Sequence, residues 1–397
     1  MANPSPSNGK LQPSEKIRVL VVDDSAVIRR LVTKALEEDP DLSVVGSAAN
    51  GVIALQRIAR LAPHVVALDV EMPEMDGLET LRRIRKEFPN TRVLMFSTLT
   101  TRGAAATLEA LISGADDYFT KTSNIDPLHA SHTSLRDQLI PRIKGLFKSL
   151  AEGSSAPVPA KANTVGPGRS VVIPSNRTER QIPKVIAIGV STGGPSALAS
   201  IIGQFPGDFP LPILIVQHMP PLFTRLLAER LQERCQLEIR EAVAGEPLTA
   251  GRILIAPGDF HMKVVKNGTT PAILLDQTVP ENSCRPAVDA LFASLEKVYG
   301  GAVLAAVLTG MGRDGCAGAK VLKLSGAQIL AQDEKTCVVY GMPRSIVEAG
   351  LADCVLPLQD IVPEILRQVR GSNFSSFRQP IGFHHGDSTK LNANSAR

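Results

Sequence analysis

The chain has 397 residues, 44% of them hydrophobic and 21% charged, with a net charge of +4 and no tryptophan. Such a length favours two domains with ample core. The scattered basic residues and three tyrosines argue against a nucleic-acid partner. No run of about 18 apolar residues could span a bilayer, and the first residues, "MANPSPSNGK", lack the apolar stretch of a signal peptide, so no membrane insertion is expected. Five cysteines, all in the second half and without CxxC spacing, read as reduced thiols of a cytoplasmic protein.

Residues 1–15 read as a disordered tail. From residue 16 to 148, short apolar runs alternate with helical patterns. The runs "IRVLVVDD", "LSVVGSA", "HVVALDV", "TRVLMFS" and "DDYFTK" predict five strands, with helices such as 26–38 and 78–87 between them. Near-continuous Val, Leu and Ile without alternation marks strands buried on both faces, hence a doubly wound parallel α/β sheet of flavodoxin-like type. Residues 149–183 are rich in Pro, Gly, Ser and Ala and have no apolar period, which predicts a flexible linker.

Residues 184–370 repeat the α/β logic as a second, Rossmann-like doubly wound domain. Strands are predicted at "KVIAIGV", "LPILIVQ", "RILIAPG", "AVLAAVLTG" and "AQILAQD", and helices at 196–204, 222–234, 287–299, 315–324 and 361–370. The alternating segment "RILIAPGDFHMKVVKNGTTPAILLD" predicts a hairpin insertion turning at Asn267-Gly268. Residues 371–397 read as a second disordered tail.

In an open parallel sheet, ligands bind beyond the carboxyl ends of the strands. In the first half those ends carry Asp23, Asp24, Asp69, Ser97 and Lys121. Carboxylates suit Mg²⁺, and a lysine and a small hydroxyl suit a bound oxyanion. Helix capping is the plainer role for any one of these aspartates. Together, "VVDDS", "LDVEMPEMDG", "FST" and "DYFTK" resemble the receiver domain of two-component response regulators over about residues 16–135. The resemblance implies phosphorylation of Asp69 by a histidine kinase. It implies Mg²⁺ held by Asp23, Asp24, Asp69 and the Glu71 carbonyl, and switch residues Ser97, Tyr118 and Lys121.

In the second half, "KVIAIGVSTGGPSA" poses a choice between a phosphate-cradling loop and a loop presenting a nucleophilic serine. A dinucleotide loop wants an acidic residue at the end of the next strand, and His218 stands there instead. Gly189-Val190-Ser191-Thr192-Gly193 fits a nucleophile elbow between strand and helix, with Pro195 suited to the first helical turn. Serine needs an adjacent base, and consecutive strands of a βαβ unit usually lie side by side, so His218 is the expected base. His261, inside the expected hairpin, is its rival. Asp314, in "VLTGMGRDG", is the expected orienting acid unless it only caps a helix. The Met311 N–H is the expected oxyanion donor, and Cys316 a weaker rival nucleophile.

The motifs "AIGVSTGGP", "VQHMP", "APGDFHM", "SCRPAVDALF" and "LTGMGRDG" resemble the catalytic domain of chemotaxis protein-glutamate methylesterases, over about residues 184–370. That resemblance implies a nucleophile, base and acid at Ser191, His218 and Asp314, with Thr192 beside the serine. It implies a phosphorylation-activated hydrolase that demethylates glutamyl esters, and deamidates glutamines, on chemoreceptors, with no cofactor for the hydrolysis. The alternative is a response regulator whose output half binds a nucleotide or sugar phosphate. A transcription factor is disfavoured, because neither a helix-turn-helix pattern nor a basic helix is present.

Overall fold

The computed structural model describes residues 16–98, 100–121, 130–152 and 181–370. The two expected tails and most of the expected linker lie outside the described residues.

The first half places β1 (Ile17–Val22), α1 (Ala26–Glu37), β2 (Leu42–Ala48), α2 (Gly51–Leu61), β3 (Val65–Asp69), α3 (Gly77–Glu87), β4 (Arg92–Thr98), α4 (Thr101–Ile112), β5 (Asp117–Lys121) and α5 (Ala130–Glu152) in chain order. The strands form one parallel sheet in the order β2-β1-β3-β4-β5. The apolar runs are buried on both sheet faces, as Val19, Leu20, Val65, Leu68, Leu94 and Met95 show. The strand order reverses between β1 and β3, so a crevice opens beside the ends that carry Asp23 and Asp69.

The second half continues with β6 (Val185–Val190), α6 (Gly194–Ile201), β7 (Ile213–Gln217), α7 (Phe223–Gln232), β8 (Glu238–Glu241), β9 (Arg252–Ile255), β10 (His261–Val265), β11 (Ala272–Asp276), α8 (Val288–Tyr299), β12 (Val303–Val307), α9 (Cys316–Leu324), β13 (Gln328–Gln332), α10 (Met342–Glu348), β14 (Cys354–Leu356) and α11 (Leu358–Arg370). Seven strands form a parallel sheet ordered β14-β13-β12-β6-β7-β9-β8. Here the reversal lies between β6 and β12, with β7 on the other side of β6.

The hairpin expectation needs one correction. The run "RILI" is β9, paired in parallel with β7 and β8, and only β10 and β11 form the antiparallel hairpin. Two further strands, β8 and β14, are short and lie at the sheet edges, where sequence patterning is weakest. The expected helix at 196–204 begins earlier, at Gly194. Gly193 adopts φ +75° there, a left-handed conformation that glycine takes without strain.

Candidate functional site

The first-half site is set by strand ends. Capping is carried by other residues: Ser25, Asn50, Asp76 and Thr100 cap α1 to α4 through their side chains. Asp23, Asp24 and Asp69 are therefore left to form a cluster whose carboxylate oxygens lie within 4.8 Å of one another. The Lys121 ammonium sits 2.7 Å from Asp23 Oδ2 and 2.7 Å from Asp69 Oδ1. Burial of Asp69, chiefly, pushes its carboxyl up to about 6, against the pull of Lys121. Lys121 is itself raised: burial lowers it, but the two aspartates more than offset that. Ser97 is fully buried, and its hydroxyl donates to the Gly103 carbonyl at 3.2 Å. The Glu71 side chain is exposed, with Oε1 3.7 Å from Arg102 Nε. The cluster of hard oxygen donors suits a small divalent cation such as Mg²⁺.

Tyr118 does not face solvent. Its ring stacks on Phe223 of α7, centroids 5.0 Å apart, and burial pushes its hydroxyl pKa up.

The second-half site gathers at the reversal between β6 and β12. Val190 pairs with Gln217, and the His218 N–H donates to the Val190 carbonyl at 3.3 Å, so Ser191 and His218 leave adjacent strand ends. Gln217 braces the turn by donating from Nε2 to the Ser191 carbonyl at 3.0 Å. Gly310 packs against the serine so closely that a Cβ there would lie 2.8 Å from Ser191 Cβ, which only glycine permits.

His218 Nε2 lies 2.7 Å from Asp314 Oδ2. Asp314 is not the cap of α9, whose N-cap is Gly315 with no side-chain bond. It caps α8 instead. Its Oδ2 accepts from the Val288 N–H at 2.6 Å, and its Oδ1 from the Asp289 N–H at 3.0 Å. Oδ1 also accepts from the Gly315 N–H at 3.0 Å and from Asn282 Nδ2 at 3.1 Å. Burial alone would raise Asp314, but His218 and these N–H groups hold its carboxyl below the usual range. His218 is raised to about 9: burial pulls it down, and the bonds to Asp314 and Cys284 outweigh that.

Among the described residues the Ser191 hydroxyl has no hydrogen-bond partner, and the Met311 and Thr192 N–H groups find no acceptor. The rivals are set apart. His261 is wholly buried in the hairpin, with Nε2 on the Val279 carbonyl. The Cys316 thiol is buried and donates to the Ser345 carbonyl at 3.5 Å.

Sequence reasoning missed several neighbours. The Thr309 hydroxyl, at the end of the β12 segment, donates to the Thr192 carbonyl at 2.9 Å. Cys284 lies against His218, its Sγ 3.6 Å from Nδ1. Asp117 of β5 reaches across from the first half: its Oδ2 accepts from the Thr192 hydroxyl at 3.1 Å and from Arg142 Nη1 of α5 at 2.8 Å. Val339 is buried in one cluster with Ile140, Ile143 and Leu146 of α5. The receiver-like half thus packs onto the loops that flank Ser191. The quoted motifs contained Cys284 and Asp117, but nothing local marks a residue whose partner lies in the other half.

Two family models match the chain: the response regulator receiver domain over residues 19–133 and the CheB methylesterase over residues 186–365. A protein-glutamate methylesterase/protein-glutamine glutaminase of Nocardioides sp. is 47% identical, over 89% of this chain and 95% of its own length. One of the same name from Trichodesmium erythraeum is 45% identical, over 89% of this chain and 99% of its own. The crystal structure of the Thermotoga maritima CheB methylesterase catalytic domain is 43% identical, with a TM-score of 0.46, covering 47% of this chain and 98% of that one. Two family models that together span most of the chain, and relatives 45–47% identical over nearly their own full length, place the chain in the family of receiver-linked CheB protein-glutamate methylesterases/protein-glutamine glutaminases.

Proposed function

We propose that this chain is a phosphorylation-controlled serine hydrolase that removes methyl groups from glutamyl esters, and deamidates glutamines, on chemoreceptors. It would act in chemotactic adaptation, with residues 16–148 as regulator and 184–370 as catalyst. The observation that carries the reading is the 2.7 Å contact of His218 with a buried Asp314, beside a serine on the adjacent strand end. The alternative, a nucleotide- or sugar-phosphate-binding output half, finds no support in the comparisons.

In this mechanism Ser191 Oγ attacks the side-chain carbonyl carbon while His218 takes its proton. Asp314, held by four other donors, fixes the ring and stabilises the imidazolium. The N–H groups of Met311 and Thr192, which have no acceptor among the described residues, would receive the developing oxyanion, each such donor being worth roughly 10²–10³ in rate. His218 then protonates the leaving group, methanol from an ester or ammonia from an amide. Water, deprotonated by His218, hydrolyses the acyl-enzyme and frees the glutamate carboxylate. The two substrates share one carbonyl geometry, so one site serves both.

Control resides in the first half. Asp69 would accept a phosphoryl group from a histidine kinase, with Asp23, Asp24, Asp69 and the Glu71 carbonyl holding Mg²⁺. Bound there, the ion would neutralise phosphate charge. Lys121 and Ser97 would then re-pair with the phosphoryl oxygens, and Tyr118, packed on Phe223, would carry that rearrangement to the docking face. The docked half covers Thr192 and would bar a bulky receptor helix. Five free cysteines fit a reducing cytoplasm, and no helix among the described residues is long and apolar enough to cross a membrane. The test is methanol release from methylated chemoreceptor membranes with and without a phosphodonor and Mg²⁺. Release that needs Ser191 and rises with the phosphodonor supports the reading, and release indifferent to both refutes it.

A further inference from the structure

Asp314 occupies one nitrogen of His218, Nε2. The nitrogen left to accept the Ser191 proton is Nδ1, and in this structure its neighbour is the Cys284 thiol at 3.6 Å, within reach of a sulfur hydrogen bond. Ser191 itself has no partner among the described residues. We propose that Cys284 is a positioning residue that parks His218: its thiol occupies the ring nitrogen needed by Ser191, and the contact opens when His218 acts as base. This inference rests on the proposed roles of Ser191, His218 and Asp314.

The turn that carries Cys284 is built for this contact. Glu281 and Cys284 exchange backbone bonds of 3.1 and 2.8 Å. The two residues between them, Asn282 and Ser283, adopt φ of +51° and +62°, a region unfavourable for non-glycine side chains. One turn thereby lays a group on each member of the pair. Asn282 Nδ2 donates to Asp314 Oδ1 and to Asp289 Oδ2, at 3.1 and 2.9 Å, while Cys284 meets His218. A thiol is a weak donor and acceptor, so the contact holds the ring at rest and yields readily to a hydroxyl.

The charges around His218 set the sign. Asp314 from the β12–α9 loop and Cys284 from the segment before α8 touch it directly. Asp289 of α8 stands behind Asp314, and the Arg142 guanidinium of α5, held by Asp117, lies near Cys284. Both groups touching His218 favour the imidazolium, and a protonated ring cannot act as base. Removing Cys284 removes one of them. The ring then titrates at lower pH, and the acidic limb of the rate profile moves down.

The experiment uses the full chain with acetyl phosphate and Mg²⁺, following methanol release from methylated receptor membranes across pH 5.5–9. Cys284→Ala is expected to move the acidic limb down by about half a pH unit or more, raising the rate on that limb about threefold. Cys284→Ser keeps an acceptor for the ring N–H and is expected to return the limb toward the wild-type position. An unmoved limb in Cys284→Ala, or equal loss of rate in both variants without a shift, overturns the proposal. A second measurement needs no Cys284 variant. Iodoacetamide alkylation of Cys284 at pH 6.5, read by peptide mass, is expected to be about tenfold faster than in His218→Gln, because a cationic ring held against the sulfur speeds its attack. Equal rates overturn the proposal. Ser191→Ala serves as control: if it stays active, the serine mechanism itself is wrong; if it is inactive while the Cys284 variants leave the limb in place, only this inference falls.

Discussion

Replacing Asp314 by asparagine should cost far more than a lost charge, because every acceptor site of this carboxylate is in use. Oδ1 accepts three N–H donors, from Asp289, Gly315 and Asn282. Oδ2 accepts from Val288 and from His218. An amide nitrogen placed at Oδ1 would oppose three donors. Placed at Oδ2 it would oppose the Val288 N–H and force His218 Nε2 to become an acceptor. The ring proton would then sit on Nδ1, the nitrogen that must take the serine proton. Wrong-tautomer variants of this kind lose about 10⁴ in kcat, or about 5 kcal/mol of barrier. The N-terminus of α8 would also lose its cap and face a misplaced donor, costing about 1–3 kcal/mol of stability. Methanol release and thermal unfolding of Asp314→Asn, measured side by side, test both numbers. A rate within tenfold of wild type with an unchanged melting temperature would refute the orienting role and leave Asp314 as a helix cap alone.

Ser191→Ala should abolish methanol release more completely than Asp314→Asn while leaving the melting temperature within a degree or two, since no core volume is lost; retained activity within a few fold would exclude the serine as nucleophile. Asp69 carries a pH signature: its folded carboxyl is raised to about 6, above the unfolded range, so the native state binds the proton more tightly and stability falls as pH rises from about 4 through 6. Asp69→Asn should remove that slope in a urea-unfolding series and hold the full chain at low, phosphodonor-independent activity; an unchanged slope would show that another group titrates. A fragment of residues 184–370, which retains its own seven-stranded sheet and buried core, should be active without a phosphodonor. If it is no faster than the unphosphorylated full chain, occlusion by the receiver half is wrong and that half is an activator or targeting module.

Much of this architecture was legible in the linear chain, because both sheets are parallel and buried on both faces. A strand such as "KVIAIGV" must then be apolar throughout, and the first polar residue after it falls at the carboxyl edge where ligands bind. For that reason Asp23, Asp69, Ser191 and His218 could be picked out with no knowledge of their partners. The edge strands escaped notice: β8 reads Glu-Ile-Arg-Glu with one side in water, and β14 has three residues. Neither is long or apolar enough to carry a pattern.

What the fold alone decided are the relations between residues far apart in the chain. Asp314 serves α8, whose first residue lies 26 positions before it, and not the helix that follows it. Thr192 is tied to Asp117 across 75 positions, and Tyr118 rests on Phe223. Which nitrogen of His218 faces Asp314, and that a cysteine meets the other, depends on a turn held by two residues with positive φ. Local sequence sets strand burial and helix caps through short-range sterics and hydrogen bonds. The pairing of side chains across loops and domains follows from where the packed sheets leave their ends, and that is determined only when the whole chain has closed around its cores.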